Sequence, residues 1–73
     1  MNTGTAYQII IAGHLDPAWE EWFIPLQITN RPDGTTHLSG LLADQAALFG
    51  ILNKIYRLNL PLLSLQINQN NAG

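Results

Sequence analysis

The residues of this chain best suited to chemistry are two histidines and an aspartate: His14, Asp16 and His37. Two imidazoles and a carboxylate can build a metal site or an acid–base pair near neutral pH, because imidazole exchanges its proton there and offers a lone pair to a cation. Their spacing matches no strong motif, so any such chemistry depends on the fold bringing the histidines together. Asp16 also has a second use, as the cap of a helix starting at Pro17. His14 and His37 are therefore the candidate catalytic pair, as proton shuttles, with hydrogen bonding to backbone or to a partner chain as their structural alternative. No resident metal or cofactor is expected.

A second set is aromatic. Trp19, Trp22 and Tyr56 are candidate ligand-binding residues that, with Phe23, can line a flat pocket between helix and sheet. Large rings are also an efficient way to fill the core of a short chain. Other patterns drop out. Glu20 and Glu21 are adjacent, so a helix points them about 100° apart and they cannot act alone as a glycosidase-like pair. No serine sits in G-x-S-x-G, and Gly34 and Gly40 lie too far apart for a phosphate-binding loop.

Composition narrows the partners. Hydrophobic residues make up 47% of the 73, enough for one core, while charged residues are only 11%. Ordinary soluble domains carry roughly 25%. A domain this small exposes much of its surface, so the deficit predicts surface hidden by self-association: a homo-oligomer, a dimer first, with a small molecule or another protein as further possible partners. Arg31, Lys54 and Arg57 are the three basic residues, too few for unaided binding to nucleic acid or to an anionic membrane. The absence of cysteine removes thiolate catalysis and Cys-based metal sites. Ile9-Ile10-Ile11-Ala12 is too short for a signal core or a membrane span, and no basic region precedes it, so a cytoplasmic, soluble protein is expected.

The elements follow from periodicity. Tyr7 to Leu15 alternates as a strand, apolar on both faces and so central in its sheet. Asp16-Pro17 starts a short helix to about Phe23, turning Trp19, Trp22 and Phe23 towards the sheet. Ile24 to Asn30 alternates again, and Pro32-Asp33-Gly34 forms a hairpin turn into a strand from Thr35 to Leu42. If Arg31 pairs with Thr35, Ile28 lies opposite Leu38, Leu26 opposite Gly40 and Ile24 opposite Leu42. Asp44 caps the main helix, Gln45 to about Leu58, whose buried stripe is Leu48, Ile51, Leu52, Ile55 and Leu58. Gly50 in its middle predicts a close approach by the sheet or a partner chain. Leu62 to Ile67 is the last strand, with Leu63, Leu65 and Ile67 inward. One domain thus spans 7–67, with 1–6 and 68–73 as flexible ends.

The order β-α-β-β-α-β predicts an α+β fold, a ferredoxin-like plait: a four-stranded antiparallel sheet with both helices on one face and the first strand between the third and fourth. The other face is semi-polar and uncharged.

The chain resembles a group of short, mostly uncharacterised bacterial proteins. The resemblance rests on Gly13-His14-Leu15-Asp16, on Trp19 with Trp22-Phe23, on the run from Gly34-Thr35 through Leu38, Gly40 and Leu42 to Asp44-Gln45-Ala46-Ala47-Leu48, and on Leu58-Asn59-Leu60-Pro61-Leu62-Leu63-Ser64. It departs at Phe49, where the family carries His. The resemblance implies a shared compact fold and supplies no activity. The function expected from the residues is a small self-associating interaction or ligand-binding module. The alternative is a cofactor-independent isomerase or lyase with its cavity between subunits.

Overall fold

A computed structural model of the chain describes residues 4–68. It is an open four-stranded antiparallel sheet with one α-helix and one 3-10 helix. The strands are β1 (Thr5–Ala12), β2 (Gln27–Asn30), β3 (Thr35–Leu42) and β4 (Leu62–Asn68), and the α-helix, α1, is Gln45–Arg57. The sheet runs β2-β3-β1-β4, so the first strand lies between the third and fourth as expected. Thr5 and Ala6 belong to β1 rather than to a loose end, while the expected fraying of 1–3 and 69–73 concerns residues outside those described.

β1 is central because it is apolar on both faces. Tyr7, Ile9 and Ile11 are buried on the helix side, and Gln8, Ile10 and Ala12 are half-buried on the open side. Phe23, Leu38, Leu42, Leu48, Ile51 and Ile55 complete the core above the sheet. The hairpin takes the expected register, with Ile28 opposite Leu38, Thr29 opposite His37, and the Arg31 N–H donating to the Thr35 carbonyl. Gly34 supplies the turn's positive φ of 87°, a conformation that penalises a Cβ.

Four elements differ from the sequence expectation. β1 ends at Ala12 rather than at Leu15, because Gly13 turns the chain with a φ of 90°. The first helix keeps its limits, Pro17–Phe23, but is 3-10. At three residues per turn, Trp19 aligns with Trp22, leaving Phe23 alone to enter the core. β2 begins at Gln27, not Ile24. Pro25 has no N–H to give a ladder, and the Leu26 N–H donates to the Phe23 carbonyl instead, so Ile24 ends exposed rather than opposite Leu42. In β4 the register shifts between Ile10 and Ile11 of β1: Ser64 faces Ile10 and Leu62 faces Ile11, leaving Leu63 as the extra residue of a bulge. The expected alternation therefore stops at Ser64, and the side chains meant to face inward are exposed, as described below.

A polar clamp not foreseen from the sequence closes one end of the sheet. Asn30 brackets Leu15 as a strand partner would: its Oδ1 accepts the Leu15 N–H at 3.0 Å and its amide donates to the Leu15 carbonyl at 2.9 Å. The hydroxyl of fully buried Thr36 lies 2.6 Å from the Gly13 carbonyl oxygen and 2.8 Å from Asn30 Oδ1, its one proton shared between two acceptors. The clamp fixes where the chain leaves β1 and enters the 3-10 helix. Asn30→Ala strands both backbone groups of buried Leu15 and should cost about 1–3 kcal/mol; urea unfolding is expected to show a lower midpoint with unchanged slope, and a wild-type midpoint would contradict the clamp.

At the hairpin turn, the Asp33 carboxylate accepts the Thr35 hydroxyl at 2.6 Å and the Thr35 N–H at 3.0 Å. The hydroxyl first, and the N–H after it, hold the Asp33 carboxyl below the usual Asp value. A depressed folded-state value stabilises the turn above the unfolded pKa, and that contribution disappears as the pH falls through the folded one. An NMR titration should place the Asp33 midpoint below ~3.9, with Thr35→Val raising it; equal midpoints in the two proteins would refute the assignment.

Candidate functional site

The two candidate histidines sit on different segments. His37 lies on the open face of β3 opposite Ile10. The Gln8 amide nitrogen sits 3.5 Å from His37 Nδ1, a long contact between half-buried neighbours. His14 lies past the end of β1, and its Nε2 is 2.6 Å from the Arg31 carbonyl oxygen. A carbonyl only accepts, so Nε2 carries the proton and donates. His14 thus ties the β1 exit to the hairpin. Asp16 caps the 3-10 helix, accepting the Ala18 N–H at 2.9 Å. Among the described residues, no three of the His, Asp and Glu side chains gather closely enough to hold a metal.

The aromatic set divides. Trp19 and Trp22 stack at 4.9 Å between centroids, and Trp22 meets Phe23 edge-on at 5.8 Å. Lys54 from α1 donates to the Trp22 carbonyl at 2.7 Å, with its ammonium 5.7 Å from the Trp22 ring centre. Tyr56 is elsewhere. At 100° per residue it lies about 200° round the helix from Lys54, and it is exposed. A shallow groove of about 410 Å³ runs beside the 3-10 helix and β2, lined by Glu20, Glu21, Ile24 and Ile28 among others. Neither histidine and none of the three candidate aromatics lines it.

The largest chemical feature is a bare apolar strip, which follows from where the helices sit. The 3-10 helix packs on β2. Leu48, Ile51 and Ile55 point down into the core, and the Lys54 contact turns that flank of α1 towards the 3-10 helix. The flank away from Lys54 carries Phe49 and Tyr56, at i and i+7, with Leu52 beside them partly buried against the core. Phe49 is 62% exposed and Tyr56 78%. In β4, Leu65 and Ile67 pair with the helix-side residues Ile9 and Tyr7, yet are 38% and 54% exposed. The sequence signal was present in Phe49, whose spacing to Tyr56 marks a second apolar flank. Only the position of α1 shows that this flank and the last strand are bare together.

These observations define a small α+β domain with an uncovered apolar edge and no helix long and apolar enough to cross a membrane among the described residues. The chain belongs to the family described as a domain of unknown function, DUF8691, whose model matches residues 6–66. No curated protein and no solved structure matches it.

Gly50 is not explained by a close approach of the sheet: a Cβ built there meets nothing within 4 Å. Gly50→Ala should therefore stabilise the fold by up to about 1 kcal/mol, read as a raised thermal midpoint; a lowered midpoint would reveal an approach at this position after all.

Proposed function

We propose that this protein is a cytoplasmic self-associating interaction module, a ferredoxin-like plait that works as a homodimer. The strand order supports the plait: β1 and β2 are both antiparallel to β3, hence parallel to each other, with a helical connection between them. One observation carries the functional reading. Phe49, Tyr56, Leu62, Leu63, Leu65 and Ile67 are exposed large apolar side chains on α1 and the edge strand β4, in a chain only 11% charged. Large apolar side chains left exposed at a domain edge are what an interaction surface presents before it is covered. A small apolar molecule enclosed between copies is compatible with the same surface.

The isomerase or lyase alternative requires an imidazole opening into a cavity. His14 donates to a backbone carbonyl and His37 neighbours Gln8, so neither geometry favours that reading over self-association.

Sedimentation velocity between ~1 and ~100 μM is the test. A species of twice the 8.1 kDa chain mass, populated increasingly with concentration, is expected. A monomer throughout that range overturns the proposal.

A further inference from the structure

We infer that two copies join through β4, edge to edge about a two-fold axis at Leu65, making one continuous eight-stranded sheet. This rests on the self-association proposed above and specifies its surface.

The backbone comes first. The Ala12 N–H donates to the Pro61 carbonyl while the Gly13 N–H donates to the Gly34 carbonyl on the opposite side. Even-numbered residues of β1 therefore address β4, and their partners Ser64 and Gln66 address β1 in return. Leu65 and Ile67 then direct their N–H and C=O groups outward, along an edge that no described strand occupies. Native edge strands are usually guarded by charge, proline or shortness. β4 has seven residues, none of them charged and none proline. The other edge, β2, is guarded: it has four residues, flanked by Glu20 and Glu21 in the adjoining groove.

The sequence of β4 is also its own complement. Pairing it antiparallel with a second β4 about Leu65 sets Leu65 against Leu65 and Ser64 against Gln66. Apolar meets apolar on the helix side and polar meets polar on the open side. A one-residue slip would place leucine against serine or glutamine, so the pattern selects this alignment.

Area and self-complementarity together favour a second copy as the partner. Taking ~200 Å² for a fully exposed large side chain, the six residues of the strip carry roughly 650 Å² per copy at their observed exposures. Two copies hide about 1,300 Å², above the ~1,000 Å² expected of a specific interface. A two-fold brings Phe49 and Tyr56 of both α1 helices over the joined β4 pair, covering on each copy what its own helices leave bare.

Single cysteines in this cysteine-free chain give the test. Gln66→Cys and Thr29→Cys, both at exposed polar positions, are spin-labelled and their distances measured between copies. The β4 junction predicts Cα separations of ~8 Å at position 66 and, across seven strand spacings, ~34 Å at position 29 before sheet twist. A dimer with position 66 far apart, or with position 29 the closer pair, overturns the β4 junction while leaving self-association standing. A monomer removes both. As a second arm, Leu65→Lys should weaken the dimer at least tenfold, and mixing it with Leu65→Glu should restore association, because residue 65 faces its own copy only on this axis. Leu41→Lys, on the open face, should leave the dimer unchanged; dissociation by Leu41→Lys with no effect of Leu65→Lys also overturns the junction. If Leu65→Lys does not fold by circular dichroism, the label distances decide.

Discussion

The sheet is wider than the helices that cover it, and the rest of the molecule follows from that mismatch. Four strands span roughly 15–20 Å across, while one α-helix with its side chains covers about 10 Å. In a layered α+β domain a second helix would close the difference. Here the second helical segment is a seven-residue 3-10 helix resting on β2, so coverage ends before β4. The apolar residues of the last strand, which would be core under a longer helix, become surface.

The other end of the sheet is closed by polar contacts. Asn30 replaces a missing strand partner for Leu15, and buried Thr36 joins the same network. His14 adds a bond to the Arg31 carbonyl, and Lys54 ties α1 to the 3-10 helix through the Trp22 carbonyl. These contacts hold the chain where β1 exits and fix the rotation of α1 about its axis. Because Lys54 faces the 3-10 helix, Phe49 and Tyr56 face the other way.

The same contacts account for the residues that looked chemical. An imidazole donating to a backbone carbonyl and an aspartate capping a helix are both engaged in shaping the backbone. Trp19 and Trp22 stack on each other because a 3-10 helix aligns i with i+3, and Lys54 sits over Trp22. His14, Asp16 and Trp22 each contact neighbouring structure, while Phe49, Tyr56 and the apolar residues of β4 remain exposed.

The sequence by itself determined the elements whose information is local. Alternation and turn chemistry set β3 and the hairpin register, because a one-residue slip would put every side chain on the wrong face. Asp44 and the apolar stripe set α1, and apolar residues on both faces of β1 made it central. Tertiary structure decided what depends on residues distant in the chain. Whether Leu65 and Ile67 are covered depends on where α1 lies across the sheet, which its packing through Leu48, Ile51 and Ile55 decides. The bond from His14 to the Arg31 carbonyl depends on where the chain leaves β1, which Asn30 supports from fifteen residues away. Periodicity reports which face of an element is apolar; only packing decides whether another element reaches that face.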